Sequence, residues 1–193
     1  MSKVPTRPVE IFSKKNLIRI GIIVGVLILL LNSLVIIAPS DRGAMVTLGK
    51  IKDKVLQPGL HFKAPFITSV AKVSIKPTTV KLTIPVNDNG AITRDNQIIG
   101  GDMVYFYRFT DTRIIDMMSQ FGVRKIEELS AAALTEAFKT AIGKYTIFDV
   151  AVSQEKIRQE TFNYMLKKMD GYPVEPTDLV INNYNWSGEF DKQ

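Results

Sequence analysis

The segment IGIIVGVLILLLNSLVIIA, Ile20–Ala38, decides the broad class of the protein. It contains no charged residue, and Asn32 and Ser33 are its only polar side chains. A helix of ~20 apolar residues crosses the ~30 Å hydrocarbon core of a bilayer and satisfies its own backbone hydrogen bonds. The segment therefore predicts an uncleaved transmembrane helix over residues 20–38.

A cleavable signal peptide is the alternative interpretation of this segment. The apolar core of such a peptide usually has ~7–15 residues and ends in a small-x-small cleavage site. Here the apolar run is longer, Ile36 stands where a small residue is expected, and Pro39 follows Ala38. These features favour a permanent anchor.

Basic residues are concentrated near the apolar segment. The chain carries 25 Lys and Arg against 19 Asp and Glu, a formal net charge of +6. Lys14, Lys15 and Arg19 flank the N-terminal side of the segment, whereas Arg42 is alone just beyond its C-terminal side. The positive-inside rule then predicts a cytoplasmic tail over residues 1–19 and an extracytoplasmic domain. Three further lysines weaken this bias: Lys50, Lys52 and Lys54.

The region after the apolar segment changes to short strand patterns. Thr79–Ile84 alternates between apolar and polar residues, which predicts a half-buried strand. Pro58-Gly59 predicts a tight turn. Gly100-Gly101 predicts a bulge or bend in a strand over residues 97–109. Further strands are predicted at residues 44–48, 60–63, 70–75 and 179–186.

Helical patterns follow the strands. Asp111 is the predicted cap of a short helix, and a longer helix is predicted over Val123–Ile142. Ser153 is the predicted cap of a third helix that ends at Gly171. Strands followed by packed helices predict an α+β fold with an antiparallel sheet over residues 39–186. The inward-facing residues expected in the third helix are Ile157, Thr161, Met165 and Met169.

The sequence contains no pattern of catalytic or metal-binding residues. There is no cysteine and only one histidine, His61, so the chain can form neither a thiolate zinc site nor a pair of imidazole ligands. A phosphate-binding glycine loop is also absent. The aromatic run Tyr105–Phe109 has only Arg108 and Arg113 as basic neighbours, which favours core packing over stacking with nucleic-acid bases. We therefore expect no enzyme activity, no cofactor and no nucleic-acid binding, with His61 on the outward face of a strand.

The run SDRGAMVTLGKIKDKVLQPGLHFKAPFITSVAKVSIKPTTVKL, residues 40–82, resembles the opening of the stomatin/prohibitin/flotillin/HflK-HflC superfamily (SPFH, or band 7). The likeness extends from about Pro39 to the C-terminus, and it is greatest to bacterial prohibitin-like members with one N-terminal anchor. Four downstream stretches resemble family motifs in the same order: RDNQ (94–97), VYFYRFTDT (104–112), AAALTEAFKTAIGKYTIFDV (131–150) and DLVINNYNWSGEF (178–190).

The resemblance implies a non-enzymatic scaffold subunit. Such proteins oligomerise on a membrane, organise membrane microdomains and, in several branches, restrain a membrane ATP-dependent protease. Membrane lipid, other SPFH subunits and such a protease are then the expected partners. The expected location is a bacterial inner membrane, crossed once.

The turn at Pro58-Gly59 is expected to bring apolar side chains close to the anchor. One hypothesis is that Leu60, Phe62, Phe66 and Ile67 dip into the lipid interface, where burial of each contributes up to ~1.5–3 kcal/mol. The alternative is that the same four residues line the core of the domain.

The C-terminal end departs from the family pattern. Members normally continue into a long charged coiled coil, which Ser187 could cap here, but the chain stops at Gln193. Residues 187–193 are therefore expected to form only the start of a truncated or very short helix, which is too short to be stable alone. This departure motivates a second functional hypothesis: a short accessory or phage-type module that modulates a host SPFH and protease assembly.

Overall fold

A computed structural model of the chain describes residues 14–186. The predicted start of a C-terminal helix at residues 187–193 and most of the predicted N-terminal tail lie outside the described residues. The regular elements are, in order, α1 (Lys14–Asn32), β1 (Leu34–Ile37), β2 (Asp41–Thr47), β3 (Lys50–Leu56), β4 (Gly59–Phe62), β5 (Thr68–Ser74), β6 (Thr78–Ile84), β7 (Ala91–Ile92), β8 (Ile98–Phe109), α2 (Ile114–Asp116), α3 (Val123–Ile142), α4 (Ile147–Val152), α5 (Gln154–Met169) and β9 (Val174–Trp186).

The N-terminal apolar segment is divided between a helix and a strand. The helix expected over residues 20–38 instead begins at Lys14 and ends at Asn32, and the next apolar residues form β1. Asn32 and Ser33, the only polar side chains of the segment, lie at this boundary. The helix gives way to a strand because β1 pairs antiparallel with β4, which is a tertiary interaction.

Two small antiparallel structures follow α1. β1 and β4 form a two-stranded ribbon, and β2 lies between β3 and β5 in a three-stranded sheet, called here the first sheet. A Cβ atom on Gly43 of β2 would lie 2.9 Å from Cδ1 of Ile37 in the ribbon. The glycine therefore lets the ribbon pack closely against one side of the first sheet.

β8 is the central strand of the second sheet. It pairs antiparallel with β6 and β7 and with β9. β8 keeps a regular register with β9 through Gly100-Gly101, so the bulge expected there is wrong, and the nearest register shift lies between Asp102 and Met103. A Cβ atom on Gly100 would collide with the carbonyl oxygen of Ile84. The glycines thus allow close packing of β8 against its neighbours.

Helices α3 and α5 pack on the second sheet and enclose the main core. α3 has the bounds that its periodicity predicts, and it buries Ile126, Leu134 and Phe138. On the sheet side, Tyr105 and Tyr107 are both 0% exposed. The α+β fold class is confirmed. The buried residues of α5 are the four expected ones: Ile157, Thr161, Met165 and Met169.

The predicted cap at Asp111 is wrong. A 3-10 turn, Asp111–Arg113, begins after Thr110, and no side-chain hydrogen bond caps it. The carboxylate of Asp111 instead pairs with Arg42 of β2, with Nε 2.6 Å from Oδ1 and Nη2 2.9 Å from Oδ2. This ion pair, with one hydrogen bond from Nη2, joins the first sheet to the segment that leads into the helices.

Candidate lipid-facing surface

The ribbon presents four large apolar side chains to solvent. Leu34 lies opposite Phe62, and Ile36 lies opposite Leu60. Because alternate residues of paired strands share a face, these four side chains form one group. Their exposed fractions run from 40% to 73%. We call these four residues the ribbon patch.

A second apolar group lies at two turns of the first sheet. Leu48 follows β2, while Phe66 and Ile67 come just before β5. The backbone N–H of Leu48 donates to the carbonyl oxygen of Ile67 at 3.0 Å, which holds the two turns together. All three side chains are exposed. We call these three residues the turn patch.

Two members of the turn patch have backbone angles that favour glycine. φ is 49° at Leu48 and 66° at Phe66. The left-handed region costs a residue with a side chain roughly 1–2 kcal/mol. Leu48 is 81% exposed and Phe66 is 82% exposed, so neither side chain gains core packing in return. Strained backbone together with exposed apolar surface is typical of a contact site.

The apolar part of α1 is shorter than a bilayer. α1 has 19 residues, a mean hydropathy of 1.9 in its best window and no buried residue, and it is the one candidate membrane span within residues 14–186. The part between Arg19 and Asn32 is about 18 Å long at 1.5 Å per residue, against ~30 Å of hydrocarbon. The ribbon patch begins immediately afterwards, at Leu34. The exposed apolar surface therefore continues from the helix into the ribbon.

Polar backbone groups at the junction of α1 and β1 have partners. Ser33 Oγ donates to the carbonyl oxygen of Leu29 at 2.7 Å, and the carbonyl oxygen of Ser33 accepts from the N–H of Lys63 at 2.8 Å. Lys72 Nζ donates to the carbonyl oxygen of Ile36 at 2.8 Å. A non-helical backbone near lipid is tolerated only where such groups are bonded.

The predicted membrane-flanking residues lie at the start of α1. Lys14, Lys15 and Arg19 are all exposed. The first turn of α1 has no acidic residue, and positive charge at this end opposes the helix dipole. The role of these three residues as the cationic flank of a membrane span stays a prediction.

The four predicted interface residues are all exposed. The exposed fractions of Leu60, Phe62, Phe66 and Ile67 lie between 50% and 82%, so the alternative placement in the core is wrong. The four do not form one group, because Leu60 and Phe62 belong to the ribbon patch and the other two to the turn patch. Whether they contact lipid remains a prediction.

Sequence reasoning missed Leu34, Ile36 and Leu48. The first two lie inside the apolar run that was assigned to the helix, just after the polar pair Asn32-Ser33. Leu48 stands beside Gly49 in a turn, where a small or polar residue is usual. A large apolar residue in a turn was therefore the one available signal.

His61 is not part of a catalytic arrangement in the described structure. Its Nε2 lies 2.6 Å from the carbonyl oxygen of Gln57, and the residue is half-buried on β4. Within residues 14–186 no group of three or more histidine and acidic side chains could hold a metal ion.

One cluster of shifted titratable groups lies on the helices. Glu160 accepts from Lys144 at 2.9 Å and from the hydroxyl of Tyr145 at 2.7 Å. These hydrogen bonds lower the pKa of Glu160, and hydrogen bonds to Tyr164 and Glu160 raise the pKa of Lys144. The cluster joins the end of α3 to α5, so it has a structural explanation.

Comparison with known proteins gives one family. Residues 35–192 match the family model described as SPFH domain / Band 7 family. The Escherichia coli (strain K12) protein named "Modulator of FtsH protease HflC" is 26% identical over 175 residues, which cover 85% of this chain and 50% of that protein. "Protein HflK" of Treponema pallidum is 26% identical over 186 residues, which cover 85% of this chain and 55% of that protein.

A similarity also extends to an archaeal protein. An uncharacterized protein of Methanocaldococcus jannaschii is 25% identical over 151 residues, which cover 77% of this chain and 70% of that protein. The chain spans about half the length of the HflC and HflK relatives that it matches. The matched region includes both sheets and all helices after α1. Since the family model matches well over half of the residues, the chain belongs to the SPFH domain / Band 7 family.

Proposed function

We propose that this protein is a membrane-anchored SPFH subunit that oligomerises on the membrane, organises a membrane microdomain and restrains a membrane ATP-dependent protease. In this proposal α1 crosses a bacterial inner membrane with its N-terminus in the cytoplasm. The SPFH domain then lies on the extracytoplasmic side and rests on the bilayer through the ribbon patch and the turn patch. The protein acts as a scaffold and not as an enzyme.

The observation that carries this proposal is the continuity between α1 and the ribbon patch. A short apolar helix followed at once by exposed apolar strands supports a position of the domain at the bilayer surface. Burial of a large apolar side chain contributes up to ~1.5–3 kcal/mol, so a few such contacts suffice to hold the domain against lipid. The bonded polar groups at the junction support the same position.

The protease partner is supported by the relatives. The E. coli relative is named as a modulator of FtsH protease, and it matches 85% of this chain. The exposed apolar surface supplies the membrane contact that a modulator of a membrane-bound protease needs. These two observations support regulation by placement beside the protease.

Lipid contact is tested with a fluorescent probe. Because the chain has no cysteine, Ser69→Cys gives a single labelling site two positions beyond Ile67. The full chain is placed in nanodiscs that contain lipids with a quencher in the acyl chain. We expect strong quenching, and we expect Phe66→Ser with Ile67→Ser to reduce it while circular dichroism stays unchanged. Ile92→Ser with Leu166→Ser is the control, since these two residues are exposed elsewhere in the structure.

A second labelled variant provides the reference against which weak quenching of the first probe is judged. Asn163→Cys places the label on the exposed side of α5, within the helical layer. If the Ser69→Cys probe is quenched no more than this one, the domain does not rest on lipid and the proposal is wrong.

Assembly and protease restraint are tested on the same particles. We expect native mass spectrometry of detergent-extracted protein to find several copies per particle. Addition of the protein to FtsH protease in liposomes is expected to slow degradation of a membrane substrate. Particles with one copy would contradict the proposed oligomerisation. An unchanged degradation rate would contradict the proposed restraint of the protease.

A further inference from the structure

We propose that the first sheet carries a binding surface for anionic lipid headgroups, formed by Lys50, Lys52 and Lys54 of β3. We call these residues the β3 lysines. The inference rests on the proposed function, because it requires the first sheet to lie at the bilayer. The inference adds a preference for anionic lipids to the apolar contact that the ribbon patch and the turn patch make.

The β3 lysines stand at every second position along one strand. All three are exposed, and so is Asp53 between the last two, whereas Ile51 and Val55 are half-buried. None of them forms an ion pair within residues 14–186.

The paired positions at the two ends of β3 lie on the side of the first sheet where the ribbon packs. At one end, Leu56 pairs with Gly43 of β2. A Cβ atom on Gly43 would lie 3.4 Å from Cβ of Leu56 and 2.9 Å from Cδ1 of Ile37 in the ribbon. At the other end of β3, Lys50 pairs with Thr47, which lies on the same side of β2 as Gly43 because β2 pairs regularly with β5. Lys50 therefore lies on the same side as the ribbon, and Lys52 and Lys54 lie in the irregular segment between the paired positions.

An open hollow lies at the start of β3. It has a volume of about 450 Å³ and is lined by Thr47, Lys50, Ile51, Lys52 and Asp53. Two lysines and one aspartate are among its lining residues, which gives it a net positive charge. The turn that carries Leu48 is directly adjacent, so the hollow lies beside the turn patch. A cationic hollow next to an apolar patch matches a phosphate group next to an acyl chain.

The distribution of charge supports the same partner. Residues 33–76 contain 7 Lys and Arg against 2 Asp, a net charge of +5, whereas residues 77–186 contain 12 against 14, a net charge of −2. Positive charge is thus concentrated in the sheet beside the anchor. Anionic leaflets attract such regions, at about 1 kcal/mol for each lysine near the surface.

Protection of a strand edge is the competing explanation for these lysines. β3 is an edge strand of the first sheet, and lysines on edge strands discourage pairing with other chains. That explanation predicts aggregation when the lysines are removed, with no dependence on lipid charge.

The test uses the Ser69→Cys probe in full-length protein, in nanodiscs of phosphatidylcholine with or without phosphatidylglycerol. The docked fraction is measured from quenched and unquenched lifetimes. We expect phosphatidylglycerol to raise this fraction and salt to reverse the rise. Substitution of the β3 lysines by glutamine should weaken the docking equilibrium about fivefold per lysine in anionic bilayers only. The control, with the same change of charge, is Lys81→Gln, Lys139→Gln and Lys167→Gln.

Three outcomes overturn the inference. They are no response of the wild type to phosphatidylglycerol, equal losses in the two triple variants, or aggregation of the β3 variant with an unchanged lipid response. Absence of quenching in neutral bilayers is a different result, because it contradicts the proposed function itself.

Discussion

Phe66 combines a left-handed backbone with a side chain that is 82% exposed. Phe62, four positions earlier, is also an exposed phenylalanine, but it lies in the regular strand β4. Comparison of the two residues therefore separates the energetic cost of positive φ from the contribution of the exposed side chain to lipid contact. Glycine adopts positive φ without the steric penalty of a Cβ atom.

We predict opposite effects of glycine at these two positions. Phe66→Gly should leave the free energy of unfolding unchanged or raise it by up to ~1 kcal/mol, because it relieves the backbone at positive φ. Phe62→Gly should lower it by roughly 0.5–1 kcal/mol, because glycine weakens a strand. Both variants should lose lipid quenching in nanodiscs. Urea unfolding in mild detergent measures the stabilities, and an equal loss in both variants would contradict the prediction.

The pairing of Arg42 with Asp111 shows a limit of sequence reasoning for single residues. Both belong to stretches that resemble SPFH motifs, but they are 69 positions apart and no local pattern connects them. An aspartate before a helical pattern normally predicts a cap. The ion pair of Asp111 with Arg42 instead depends on where β2 lies in the fold, and the residues around Asp111 carry no signal of that position.

Elements with their own periodicity could be predicted well. α3 and α5 repeat apolar residues at helical spacing, and α5 buries the four residues expected from that spacing. The boundary between α1 and β1 was not predicted, although Asn32 and Ser33 lie there, because two polar residues do not end a membrane helix by themselves and the pairing of β1 with β4 is a tertiary interaction. The candidate lipid-facing surface was identified in part: its members on β4 and before β5 were found, whereas its members on β1 and Leu48 were not.

Helix α4 was missed although its start carries a recognisable signal. The hydroxyl of Thr146 accepts from the N–H of Asp149, and the carboxylate of Asp149 accepts from the N–H of Thr146. This is a capping box with aspartate in place of the usual glutamate. The helix has only six residues, too few for a periodic pattern to be visible.

We predict that Thr146→Ala lowers the free energy of unfolding by about 1 kcal/mol, because the N–H of Asp149 loses its partner. Thr140→Ala, at an exposed position inside α3, is the matched control. It should be neutral or slightly stabilising, since alanine is the better helix former. Denaturant unfolding of both variants decides the matter, and equal midpoints would argue against a role for the cap.

For the whole molecule, acid stability depends on several paired carboxylates. Hydrogen bonds from Arg158 and Gln159 lower the pKa of Glu155 from its ordinary 4.5 to about 2. A carboxylate with a lowered pKa in the folded state stabilises the fold at pH values above its unfolded pKa. That stabilisation is lost as the pH falls through the folded pKa. Four other carboxylates have lowered pKa values: Asp95, Asp102, Asp149 and Glu160.

We predict that the melting temperature in detergent falls as the pH is lowered from about 4.5 to about 2, the interval set by Glu155. Glu155→Gln should flatten the pH dependence within this interval. Arg158→Gln should do the same, because it removes the first cause of the shift. Calorimetry at a series of pH values measures this, and profiles parallel to that of the wild type would show that the pair does not matter.

A single residue, Ser33, separates α1 from β1, and its N–H, carbonyl and hydroxyl groups are all engaged. The joint between α1 and β1 is therefore held by hydrogen bonds, so we expect the sheets to move together with the helix. The apolar part of α1 is shorter than the hydrocarbon layer, so the bilayer is expected to thin around it. Because the ribbon follows the helix directly, its apolar face would lie inside that thinned region. A second copy placed in the same region adds less distortion than one placed alone, so this mismatch would bring neighbouring copies together on the membrane.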